Sequence, residues 1–394
     1  MHRLFACLLL AILTLPAPVR ADEVLLGMST ALSGPTAELG NAMRDGVSLG
    51  LARLNQEGGL AGRQLRLLAL DDGYEPARTA PNMRRLIEQE QVLAVIGNVG
   101  TPTAIASLPL IREHRVLFFA PFTGAGVLRR QPPERYVINF RASYAQEIAA
   151  MVTALVERGN LRPEEIAFFT QRDGYGDAGF AGGLAALRRH GLADERQVLH
   201  VRYPRNTLAV ENALADILMA EQIPRAIIMV GTYAPCAKFI RLAREAGLES
   251  LFLNVSFVGG DFLARALGEE ITGVIVTQVV PHPDDRDLPI VDDFRTDLDA
   301  FAPYIQPTFV ALEGYIAARL IGRALLEVNG KPSREALIEA MEGLGTFDLG
   351  LGPMLRLDSG RHQASEEVWP TLLRAGKMVP FAWSEITTLI PEAP

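Results

Sequence analysis

Apolar and polar positions along the chain fall into two periods that take turns. Short runs rich in Val, Ile and Leu at 24–28, 65–70, 92–96 and 116–120 read as buried strands. Between them apolar residues recur at helical spacing. Met43, Val47, Leu51 and Leu54 mark a helix over 37–55 that Gly58 and Gly59 stop, and further helices are predicted around 77–89 and over 102–113. The alternation then repeats, with strands at 166–170, 198–202, 226–230 and 251–254 and helices at 180–190, 210–220 and 235–245. A helix over 262–267 and a strand at 274–279 follow, then helices at 291–298, 308–328 and 334–341, and 369–383 reads as an extended hairpin. Such alternation predicts parallel sheets with helices on both faces, and it predicts them twice.

The two halves echo each other. "VIGNVGTPTAIASL" and "IIMVGTYAPCAKFI" both run apolar strand, Gly-Thr, Pro, helix. Proline suits a first helical turn, where its missing N–H would be unpaired anyway, and Thr101 is expected to cap the helix that begins at Pro102. In open parallel sheets ligands bind beyond the carboxyl ends of the strands, where helix N-termini converge. Two lobes facing each other would aim both Gly-Thr turns into one cleft.

Length supports two lobes. The chain has 394 residues, more than one core usually serves, and no Ser/Gly-rich tract marks a linker. Its start, basic at Arg3, apolar over 4–15 and small near Ala21, is expected to be a signal peptide cut after Ala21. That leaves Cys236 as the one cysteine, so no internal disulfide is expected. The net charge is −8 with both signs interspersed, which argues against nucleic acid as a partner. The six His are scattered without metal-ligand spacing, and neither G-x-S-x-G nor H-E-x-x-H occurs. No enzyme activity, metal or cofactor is expected.

One stretch suggests otherwise. Gly174-Tyr-Gly176-Asp-Ala-Gly179 fits G-x-G-x-x-G, the dinucleotide fingerprint. That reading also wants an acid closing the next strand, and the strand ends in Arg202-Tyr-Pro204 instead.

Pieces along the whole chain carry a resemblance: Leu32-Ser-Gly-Pro35, Asn55 with Gly58-Gly59, Asp71-Asp72, the turn 97–103, "APFTGAG", "FRAS", the Tyr-Gly at 175 and "FVGGD". In this order they resemble the Leu/Ile/Val-binding family of type I periplasmic substrate-binding proteins of ABC transporters. The resemblance implies an α/β fold of two doubly wound parallel-sheet lobes joined by three crossovers near Arg141, Val279 and Gly350. Residues 22–141 plus 279–350 would form the N-terminal lobe, and 142–278 plus 351–394 the C-terminal lobe. It implies a periplasmic monomer that closes over a small ligand and hands it to an inner-membrane permease.

The same resemblance implies the site. A ligand carboxylate would meet Thr101 and the N–H groups of Thr103 and Ala104, as an anion suits a helix N-terminus in any case. Phe122 and Thr123 fill the family's next first-lobe turn, Tyr175 and Tyr233 its second-lobe aromatics, Phe257 a wall, and Asp261 the position of an acid for the ligand's ammonium. Leu39 replaces a ligand-facing Tyr, and Phe122 is an insertion. The resemblance implies an amino acid as the ligand, and these departures bring in the alternative of a periplasmic carrier or sensor of an apolar or amphipathic molecule, lipid- or sterol-like. Asp71 and Asp72 are expected to fix a loop at the rim.

Overall fold

The computed structural model describes residues 23–328 and 330–391, so the expected signal peptide lies outside the described residues. The first half alternates β1 (Val24–Thr30), α1 (Ala37–Gln56), β2 (Leu65–Asp71), α2 (Pro76–Arg84), β3 (Ala94–Ile96), α3 (Thr101–His114), β4 (Leu117–Phe119) and β5 (Val137–Ile138). Its sheet is parallel throughout, in the order β2-β1-β3-β4-β5.

The second half opens with α4 (Tyr144–Thr153). It continues through β6 (Ile166–Gln171), α5 (Gly174–Arg189), β7 (His200–Tyr203), α6 (Glu211–Leu218) and β8 (Ala226–Val230). Then come α7 (Tyr233–Glu245), β9 (Leu251–Asn254), α8 (Gly260–Leu267) and β10 (Ile275–Gln278). The order β7-β6-β8-β9-β10 repeats that of the first sheet, again parallel.

Three helices follow: α9 (Pro289–Phe301), α10 (Phe309–Leu326) and α11 (Arg334–Glu342). A short antiparallel pair, β11 (Gly345–Phe347) and β12 (Leu355–Leu357), precedes the closing hairpin β13 (Trp369–Arg374) and β14 (Lys377–Pro380). The hairpin joins the second sheet antiparallel to β10. The α/β fold of two parallel-sheet lobes expected from the sequence is the fold observed.

Long α10 lies along α1 at very short range. A Cβ at Gly46 would stand 1.9 Å from the Ala311 carbonyl oxygen, and one at Gly314 would stand 2.5 Å from that of Met43. Only residues without a side chain allow these backbones to meet. Two passages between the halves also run side by side: the Asn139 N–H donates to His362 O at 2.8 Å, and the Ser365 N–H donates to Phe140 O at 2.8 Å. Arg129 pins this region by donating to the carbonyls of Thr123, Ala125 and Arg141 and to the Gln363 side chain.

Two expectations about helix starts are corrected. Thr101 is the first residue of α3 and not its cap; Gly100 precedes it at φ 106°, a left-handed conformation that suits glycine, with the Tyr74 ring 2.1 Å from where a Cβ would stand. Helix α5 begins at Gly174 and not at 180, because the Asp173 carboxylate accepts the Tyr175 N–H at 2.9 Å and caps it there. The glycines of the apparent nucleotide fingerprint are therefore helical. They serve close packing: a Cβ at Gly176 would stand 1.9 Å from Gln171 O, and one at Gly179 would stand 2.6 Å from Val230.

Candidate functional site

The loops at the carboxyl ends of both sheets face each other. Gln171 at the end of β6 donates to the Tyr74 hydroxyl at 3.1 Å, and a Cβ at Gly174 would stand 2.9 Å from Ile105 of α3. Asn206 donates to Gly73 O at 3.1 Å, and Arg205 pairs with Glu75 at 2.7 Å. Leu39 is fully buried, with its tip 2.5 Å from where a Cβ at Gly259 would stand. Gly259 belongs to the other half.

At the centre is a cluster of rings drawn from both halves. Phe257 has its ring 5.2 Å from Phe122, 4.6 Å from Tyr175 and 6.1 Å from Tyr74, and Tyr175 lies 5.2 Å from Tyr144. All are buried. Beside them the hydroxyls of Thr101 and Thr123 meet at 2.7 Å. The Tyr144 hydroxyl, turned toward Thr123, makes no well-formed hydrogen bond, and burial pushes it up to about 12. Burial pushes the Tyr175 phenol well above its ordinary range, and its hydroxyl donates to Gly231 O at 3.2 Å.

Thr101, Phe122, Thr123, Tyr175 and Phe257 are thus brought together. Thr103 is buried beside them, but its hydroxyl donates to Val99 O at 2.5 Å and Gly100 O at 2.9 Å, within its own helix start. The Ala104 N–H expected to serve the ligand donates to Gly100 O at 3.0 Å. The N–H groups of Thr101 and Thr103 remain the donors without an intrahelical acceptor. Tyr233 and Asp261 make a different set of contacts. Tyr233 packs its ring 5.6 Å from Phe262, and Asp261 accepts the Phe309 N–H of α10 at 2.9 Å. Burial lifts the Asp261 carboxyl to about 6, against the pull of that hydrogen bond. Asp71 and Asp72 do fix a loop. Asp71 accepts from the N–H groups of Leu32, Ser33 and Gly73, and Asp72 accepts from Ser29, Thr79 and the Tyr74 N–H. Burial opposes ionisation of Asp71, yet Ser33, Arg78 and these N–H groups bring its carboxyl down to about 2.

The sequence did not point to a buried ionic group beside the rings. Arg141 is 1% exposed, with its guanidinium carbon 4.8 Å above the centre of Phe122. Its Nη2 donates to the Ser256 hydroxyl and approaches Glu147 at 3.5 Å, and its Nη1 lies 3.6 Å from Glu313 of α10. Tyr74, Tyr144 and Gln171 were equally unforeseen. No spacing rule unites them, since Tyr74 comes from a loop, Tyr144 from the start of α4 and Gln171 from the end of β6.

Comparison with known proteins agrees with this fold. The family model described as a periplasmic binding protein matches residues 23–377. The Leu/Ile/Val-binding protein of Escherichia coli (strain K12) is 23% identical over 301 residues, 74% of this chain and 78% of that one. Among solved structures, a possible leucine/isoleucine/valine-binding protein from Rhodopirellula baltica SH 1 superposes with a TM-score of 0.91 at 51% identity, covering 94% of this chain and 99% of that one. A substrate-binding periplasmic protein from Ralstonia solanacearum gives 0.83 at 29% identity, covering 91% and 99%. The chain belongs to the periplasmic binding proteins, a family of substrate-binding proteins and not of enzymes.

Proposed function

We propose that this chain is a periplasmic carrier that closes on a small organic ligand and delivers it to an inner-membrane permease of the ABC type. The observation that carries the reading is the ring cluster shared between the halves, with Phe122 meeting Phe257 at 5.2 Å, beside the paired Thr101 and Thr123 hydroxyls. A ligand that touched both halves there would favour the closed arrangement over an open one. The names of the relatives favour an amino acid or amino-acid-like ligand. The abundance of rings favours the second reading, an apolar or amphipathic molecule.

In this reading 22–141 plus 279–350 and 142–278 plus 351–394 move as two bodies, and Thr101, Thr103, Phe122, Thr123, Tyr175, Tyr233, Phe257 and Asp261 surround the ligand. The mature protein starts at Asp22 and acts as a monomer. N-terminal sequencing of periplasmic material checks the cut; a retained Met1 refutes it. Small-angle scattering checks the closure. Ligand-free protein should show a larger radius of gyration than ligand-saturated protein, with unchanged circular dichroism. Equal radii, after stripping of any co-purified ligand, would sink the hinge.

A further inference from the structure

The proposed reading leaves unexplained a guanidinium that is buried, charged and incompletely paired. Arg141 Nε and Nη1 have no hydrogen-bond partner, although a buried donor of this kind is costly to leave unmet. Burial opposes its charge, but Glu313 and Glu147 more than offset that and hold its cation firmly. Its position over Phe122, itself against Phe257 of the other half, puts it at the wall of the ring cluster.

The two acids that share it are not alike. Glu147 is fixed: it accepts from the Ser256 N–H at 2.7 Å, from the Ser256 hydroxyl at 3.0 Å and from Thr277 at 2.7 Å. Glu313 accepts no hydrogen bond among the described residues, and its 3.6 Å approach to Arg141 is too long to be one.

We propose that Arg141 takes the carboxylate of the ligand on its unpaired N–H groups and that Glu313 surrenders its share of Arg141, so that an organic carboxylate enters the cleft together with one proton. This rests on the capture reading above and names the ligand's chemical class, a carboxylic acid. The charge count gives the reason. Arg129 and Arg141 balance Glu147 and Glu313, so an added anion leaves one uncompensated negative charge in a place poor in water.

Burial raises both acids' carboxyls, but Arg141 and the hydrogen bonds from Ser256 and Thr277 favour the Glu147 anion. No hydrogen bond among the described residues holds Glu313, which is the group placed to absorb the charge. Burial lifts its carboxyl to about 7, with Arg141 and Arg129 opposing that rise and Glu147 adding to it. From α1, the groups nearest Gly314 on the same helix are the backbone of Met43, Gly46 and Val47. Asp297 of α9 is engaged by Tyr315 and Arg53, and Glu342 of α11 by His362 and Arg135. A ligand anion nearby raises the Glu313 carboxyl further, and solvent supplies the proton. Affinity for a carboxylate is then highest below pH 7 and falls about tenfold per pH unit above it, the slope of one linked proton.

The test is calorimetric titration of the ligand-stripped protein with propionate, benzoate, octanoate and isoleucine, each beside its primary amide. Runs at pH 6.5 and 8.5, in two buffers of different ionisation enthalpy, count protons. At least one carboxylate should bind, about one hundredfold or more tighter than its amide, taking up about one proton at pH 8.5. Glu313→Gln should abolish the uptake and flatten the pH dependence; the wild-type proton count stands even if that variant folds poorly. Three outcomes overturn the proposal: amides that bind as well as acids, binding without proton uptake, or no member of the panel binding below millimolar. A neutral compound that compacts the protein in scattering would overturn it too, while leaving the capture reading intact.

Discussion

The Asp261 carboxylate already holds the Phe309 N–H at 2.9 Å, so any ligand ammonium must share it with the start of α10. An asparagine keeps an acceptor there and removes only the charge. If the ligand is an amino acid, Asp261→Asn should weaken binding by roughly ten- to a thousandfold, at ~1.4 kcal/mol per decade, and Phe122→Ala should matter less. If the ligand is apolar the order reverses, because Phe122→Ala removes a contact worth ~1.5–3 kcal/mol. Calorimetry on both variants decides, and small losses in both would show the pocket misplaced. The ligand-free protein adds a second reading. The Asp261 carboxyl rises from 3.8 to about 6 on folding, so the folded state prefers its neutral form, and stability drains away as pH climbs through that window. Asn cannot ionise; its thermal midpoint should gain on that of Asp between pH 4 and 7, and a constant difference would refute the shift. At this scale the sequence was legible where a motif stood behind a residue. Thr101, Thr123, Tyr175 and Phe257 were found that way, and Phe122 was singled out as an insertion. Arg141 was read as a crossing point alone. Glu313 lies in an apolar helix with nothing in its spacing to connect it to a loop 172 positions earlier.

Among the elements, strand and helix periods made most of the fold readable, because a parallel strand buried on both faces is a plain apolar run. The failures were local. Strand β5 has only two residues, too few for any period to register, and α4 went unnamed although its capping box, Ser143 with Gln146, stands in the sequence. The start of α5 was placed late because Gly174 and Gly176 look like breakers, whereas their missing side chains admit neighbouring atoms. Contact of this kind also holds α1 to α10. Gly46→Ala should force those helices apart and cost ~1–3 kcal/mol, the usual toll of overpacking, with the midpoint of urea unfolding lowered accordingly. An unchanged midpoint would mean that the helices separate freely. Gly62, with nothing within 4 Å of its Cβ position but a φ of +83°, is a useful contrast, since any cost there is backbone strain and not crowding.

For the molecule as a whole, the contacts between halves divide into a buried core of rings and a rim of ion pairs. Arg265 with Glu38 is solvent-facing and Arg205 with Glu75 is half-buried; rim pairs of this kind are worth ~0–1 kcal/mol each and are screened by salt. Glu75→Gln should therefore speed ligand release only a few-fold in stopped flow, with the difference from wild type fading at 1 M salt; a large effect that survived salt would place Glu75 at the ligand itself. The hairpin at the end of the chain has a practical consequence. The first strand, β1, lies in one sheet and the last, β14, in the other, so the two ends of the described chain belong to different sheets. A donor and an acceptor fluorophore fused at those ends would report closure directly as a change in energy transfer. The protein would become an optical sensor for its own ligand, able to screen crude metabolite fractions before anyone knows which molecule to look for.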